Sequence, residues 1–122
     1  MRFLTRMMFA VCLLSPVVSQ SAVVWSTCQT ITAVDNYLAQ STSQLILVLS
    51  PGVSGCSNAS ATGAVSFEIG QDGITSSNVN YILATTLSAF VAGKRVMIAY
   101  DNSTAQCYSQ IIAIGGYAAQ CP

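Results

Sequence analysis

The chain has 122 residues, enough for one domain with one core. Four basic residues balance four acidic ones and no histidine occurs, so the formal charge is zero. That excludes a basic stripe, and with it the electrostatic footing of nucleic-acid binding. It also removes the commonest general base, and the few carboxylates are spread out.

Residues 1–21 read as a secretory signal peptide. Arg2 and Arg6 form its positive end. Met7 to Val18 is an apolar run broken only by Ser15 and Pro16. The small, polar "VSQSA" follows. The run is too short for a membrane span of about 20 residues. The expected cut follows Ser21, with Ser19 at the −3 position; cuts after Ser19 or Ala22 are alternatives. A lipoprotein reading would start the mature chain at Cys12, but Val11 stands where a small residue is needed. The mature chain, residues 22–122, is expected to be a single exported domain, periplasmic or secreted, with no membrane insertion. It keeps Lys94 and Arg95 against Asp35, Glu68, Asp72 and Asp101, a net charge of −2.

Cys12 leaves with the leader. Cys28, Cys56, Cys107 and Cys121 remain, an even count that reads as two disulfides in an exported domain. Their spacings of 28, 51 and 14 residues lack the paired C-x-x-C ligands of a zinc site. No metal and no other cofactor is expected. The sequons at Asn58 and Asn102 read as polar loop composition.

Residues 29–38, "QTITAVDNYL", alternate and predict a first strand. Residues 44–49, "QLILVL", predict a second, ended by the turn residues Ser50-Pro51-Gly52. A Gly-, Ser- and Asn-rich loop follows. Residues 64–69, "AVSFEI", put Val65, Phe67 and Ile69 on one face of a third strand, and "GQDG" turns the chain. A helix comes next. Val79, Ile82, Leu83, Thr86, Leu87, Phe90 and Val91 form one apolar stripe at the helical period. Ser76 or Ser77 would cap its start, and Gly93 would end it in the left-handed conformation. Lys94 and Arg95 then lie where the macrodipole favours cations; contact with an anion or sugar acid is the other reading. "RVMIAY" (95–100) predicts a fourth strand. "YSQIIAIGGY" (108–117) predicts a fifth, with Gly115-Gly116 allowing a bulge or bend.

The order β-β-β-α-β-β makes a mainly β chain with one helix. It suits a five-stranded OB-fold-like barrel, with the helix plugging one end. A four-stranded α+β sandwich or another open sheet is the competing architecture. In an OB barrel, strands three and five lie side by side and parallel. Cys56 precedes the one and Cys107 the other, which would pair them and leave Cys28 for Cys121. That is one of three connectivities.

The run of helix, "GKRV", alternating strand, "YD" and Cys-containing loop resembles small exported OB-fold proteins of bacteria. Among these it is similar to the pentameric B subunits of A–B toxins, especially the subtilase-cytotoxin B type, at the junction "GKRVMIAY". The likeness follows the element order from 28 to 117, with recognisable sequence similarity at a minority of positions. The resemblance implies a ring of five subunits whose outer faces bind cell-surface glycans through hydroxyls, backbone groups and aromatic faces. Family sites near strand one and the early loops make Thr30, Thr32, Asp35 and Tyr37 the nearest ligand-binding candidates here. The same residues also read as outward strand and turn positions. Tyr100, Tyr108 and Tyr117 could stack on a sugar or finish the packing, and Trp25 could be a platform or cover a sheet edge.

An enzyme is not expected. Asp35 and Glu68 could converge as a glycosidase pair, but Glu68 alternates to the solvent side and Asp35-Asn36 looks like the start of a bend. No serine sits in a G-x-S-x-G setting. On the resemblance, the chain reads as an exported glycan-binding module, either oligomeric as in that family or single. The alternative is a monomeric periplasmic or secreted structural or accessory OB-fold protein with no glycan site. The helix face away from the stripe is uncharged, and the low charge opposes self-association little.

Overall fold

The computed structural model describes residues 22–41, 43–56, 63–114 and 121. The expected leader and its cut lie outside the described residues, as do Asn58, Gly115-Gly116 and Tyr117. The elements are β1 (Val23–Trp25), β2 (Thr30–Asn36), β3 (Gln44–Ser50), β4 (Ala64–Glu68), α1 (Val79–Val91), β5 (Met97–Asp101) and β6 (Ser109–Ala113). The chain is mainly β with one helix among the described residues.

The strands form two three-stranded sheets, β1-β5-β6 and β2-β3-β4, with antiparallel neighbours throughout. This departs from the expected five-stranded closed barrel in two ways. A further strand, β1, pairs with β5 along Val23–Asp101 and Trp25–Ala99. Among the described residues, the ladders of the two sheets are joined by isolated bridges, antiparallel at Gln29–Val96 and parallel at Ser66–Tyr108. Each sheet also carries a register shift of its own, β2–β3 between Ile31 and Ala33 and β5–β6 between Ala99 and Tyr100. Such a bulge bends its strand and increases the local twist.

The core follows from alternation on β3. Leu45, Leu47 and Leu49 point one way and are buried, opposite Phe67, Val65 and Ile31 respectively. Val96, Ile98 and Tyr100 supply the facing layer, and Val79 and Ala89 come from α1.

The helix sits against β2 and β6. Its buried residues are Val79, Thr86 and Ala89, with Ile82 and Leu83 partly covered. The predicted stripe is therefore only half right. Leu87, Phe90 and Val91 are 43%, 42% and 84% exposed. Small Ala89 takes the close approach, and the bulky end of the stripe faces outward.

The helix ends follow local chemistry. Gly93 has φ +62°, its N–H donates to Phe90 O, and Lys94 N–H donates to Ala89 O. This is the 6→1 and 5→2 pattern of a Schellman end. At the start, neither Ser76 nor Ser77 caps. Thr75 and Asn78 exchange hydrogen bonds instead: Asn78 N–H to Thr75 Oγ1 at 3.2 Å and Thr75 N–H to Asn78 Oδ1 at 2.8 Å. That is a reciprocal box three residues apart. Arg95 does not serve the helix end. Its guanidinium donates to Cys28 O at 2.9 Å.

The disulfides join Cys28 to Cys121 and Cys56 to Cys107. Each lies beside one seam between the sheets. Cys28 adjoins Gln29 of the antiparallel bridge. Cys107 adjoins Tyr108 of the parallel one, and Cys107 O accepts from Ser66 N–H.

Gln29 holds the first seam with its side chain as well. It is 1% exposed, its backbone exchanges two hydrogen bonds with Val96, its Oε1 accepts from Gly52 N–H at 2.7 Å and its Nε2 donates to Thr27 Oγ1. Gln29→Ala should cost about 2 kcal/mol, because it strands the Gly52 donor. Urea unfolding measures it, and a loss below about 0.5 kcal/mol would contradict this role.

Candidate functional site

The pairing register fixes what stands on the outer face of the β2-β3-β4 sheet. Asp35 lies opposite Ile46, and Ile46 opposite Ser66. Ser66 bridges to Tyr108. One row along, Tyr37 N–H donates to Gln44 O, and Gln44 lies opposite Glu68. Three strands and a seam thus place two carboxylates, an amide and two tyrosines along one sheet face.

The side chains within this patch are partly committed to one another. Ser66 Oγ donates to Gln44 Oε1 at 3.1 Å. The Tyr108 hydroxyl donates to the Glu68 carboxylate. Burial, then the Glu68 charge and its hydrogen bond, then Asp72, raise the Tyr108 hydroxyl above its ordinary pKa. It therefore remains a neutral donor at physiological pH. What the patch offers chemically is a set of hydrogen-bond donors and acceptors beside aromatic surface.

The predicted residues divide between the two ends of β2. Asp35 and Tyr37 belong to the patch. Thr30 is exposed at the other end, opposite Ser50. It is roughly 16 Å from Asp35 at the strand rise. Thr32 sits at the bulge, where its hydroxyl donates to Val48 O at 3.1 Å. Asp35 and Glu68 share a face but stand two strands and two residues apart, about 12 Å between backbones at sheet spacings. Tyr100 is buried and its hydroxyl donates to Ser54 O, so it closes the loop after β3. Trp25 and Ile111 flank Ala99 across β5 on the other sheet.

Sequence reasoning passed over Gln44, Ser66, Asp72 and Gln110. Gln44 reads as the polar start of an apolar run, and only the register brings it to Glu68. The signal available was the alternation of β4, which sends Glu68 and Ser66 to the face opposite Phe67.

Among the described residues, no set of three or more Cys, Asp or Glu is arranged to hold a metal ion. Among them, too, no helix is long and apolar enough to cross a membrane. No family model matches the chain, and no curated protein or solved structure matches it either.

Proposed function

We propose that the chain is an exported, non-enzymatic glycan-binding module of the toxin-B-subunit kind, which works as a ring of five copies. The observation that carries this reading is the outer-face patch of Asp35, Tyr37, Gln44, Glu68 and Tyr108, which spreads polar groups and two tyrosines along one sheet face. Sugars are bound by such mixtures of hydrogen bonding and ring contact. The two disulfides, each beside a seam, fit a chain made for an oxidising compartment. With the leader-like residues 1–21, they favour export to the periplasm or beyond.

The OB-like reading of the fold has its own support. From Trp25–Ala99 to Gln29–Val96 the pairing with the fourth predicted strand continues with a shift of one residue. β1 and β2 then act as one long bent first strand. The parallel Ser66–Tyr108 contact is where the third and fifth strands of such a barrel would run side by side. Assembly is favoured by the outward face of α1, which is uncharged and presents Tyr81, Leu87, Phe90 and Val91 to solvent.

A glycan array probed with the oxidised chain from Ala22 onward tests the reading. It should report one class of glycan. Tyr37→Ala and Gln44→Ala should each weaken binding about tenfold, the equivalent of one or two hydrogen bonds. Thr30→Ala should leave it unchanged. Binding that survives both patch substitutions, or no binding by the folded chain, would overturn it.

A further inference from the structure

Three carboxylates gather at the parallel seam, and one of them is poorly served. Asp72 sits in the turn after β4 with φ +46°. The turn is fixed by Gln71 N–H to Glu68 O, Ile74 N–H to Gln71 O and Gly70 N–H to Ile74 O. It carries the Asp72 carboxyl from one sheet onto the other, where Gln110 of β6 hydrogen-bonds it. Asp72 Oδ2 is closed off from solvent and has no partner. Asp101, at the end of β5, is 3% exposed and faces it. The Asp101 charge is hydrogen-bonded, since its Oδ1 accepts from the backbone N–H and hydroxyl of Ser103. That of Asp72 Oδ2 is not.

We propose that Asp72 is a proton-operated latch on the Ser66–Tyr108 seam: with a proton on its carboxyl the two sheets close over it, and ionised against Asp101 it loosens them. The ionisable groups around it are Asp101 from β5, Tyr108 leading into β6 and Glu68 ending β4, and among the described residues no cation is one of them. Burial first and the Asp101 charge second push its pKa up, and the Gln110 hydrogen bond pulls the other way.

A carboxyl raised in the folded chain holds its proton more tightly folded than unfolded. Its contribution is whole below the ordinary aspartate value of about 4 and is lost as pH rises through the raised folded value. The seam should tighten in acid and slacken toward neutral pH. This inference does not depend on glycan binding.

Amide hydrogen exchange between pH 4 and pH 8 tests it. The reporters are the amides of Ser66 and Asp101, which donate to Cys107 O and Tyr108 O across and beside the seam. After correction for intrinsic rates, their protection should fall from the ordinary aspartate value up to the raised folded one, by no more than about tenfold per pH unit because one proton is linked, and level off above it. In Asp72→Asn the fall should vanish, and protection at neutral pH should exceed that of the unsubstituted chain. Gln29 and Val96, at the other seam, should keep theirs. Asp101→Asn, which removes the facing charge but retains an acceptor for Ser103, should shrink the fall and serves if Asp72→Asn does not fold. Parallel profiles in the unsubstituted and substituted chains, or an equal loss at Gln29 and Val96, would overturn the latch.

Discussion

Replacing Cys56 and Cys107 together by alanine should lower the unfolding free energy by about 4 kcal/mol. The two are 51 residues apart in sequence, and cross-linking a loop of that length removes this much chain entropy from the unfolded state. Both cysteines are 0% exposed, so their loss also takes contacts from the core. The position matters as much as the loop. The parallel bridge joins the sheets through one residue pair, and without the disulfide that pair is left with hydrogen bonds alone, Ser66 N–H to Cys107 O and the side-chain contacts Tyr108–Glu68 and Asp72–Gln110. Domains of this size are stable by only about 5–15 kcal/mol, so the double substitution should leave the chain largely unfolded at 37 °C or close to it. Urea unfolding of the oxidised chains gives the number. A change under 1 kcal/mol would mean that the second seam holds without its covalent tie.

Phe67→Ala is the second large effect, at about 3–5 kcal/mol. Phe67 is 0% exposed and lies opposite Leu45, one residue before the end of β4. Truncating it opens a cavity that the flanking leucines cannot collapse into without leaving their register. Phe90→Ala is the matched control. Phe90 is 42% exposed, so the same chemical change there should cost under 1 kcal/mol in the isolated chain. Equal losses at the two positions would mean that the helix buries the whole predicted stripe after all. In an assembled ring the comparison changes meaning, since Phe90 on the outward helix face would then weaken assembly rather than folding.

Much of the architecture could be read from residue pattern, because it rests on local periodicity. The run Gln44 to Leu49 and the alternation Val65, Phe67 found β3 and β4 within a residue or two of their ends. Gly93 marked the helix end because only a left-handed residue completes that hydrogen-bond pattern. What escaped was set by tertiary contact. Val23–Trp25 has no periodicity to show; β5 makes it a strand by pairing with it. The stripe on α1 misled because a helix pattern says which residues are apolar, not how far the sheet beneath extends. Asn78, not a serine, stands at the helix N-cap, and it exchanges hydrogen bonds with Thr75 across the turn before the helix. Closure of the barrel was expected from element order alone, but element order does not say how far neighbouring strands pair, and the described strands form two sheets bridged at isolated residue pairs.

The candidate site was less legible. Asp35 and Tyr37 were singled out from the resemblance, and they do share a surface with Tyr108. Thr30 and Thr32 were named with them because they are near in sequence, yet an extended strand carries near residues far apart. Gln44, Glu68, Asp72 and Gln110 come together through pairing across β3, β4 and β6, which no stretch of chain displays by itself.

The proposed glycan binding would depend on assembly, because a single patch on one sheet face would bind a sugar weakly and gain useful strength by repetition on a common platform. The direct measurement is the native mass of the oxidised chain from Ala22 onward by light scattering across a range of concentrations. A discrete mass of five protomers is the predicted result. A clean monomer throughout that range would contradict it, and with the ring would go the main reason to expect multivalent glycan binding.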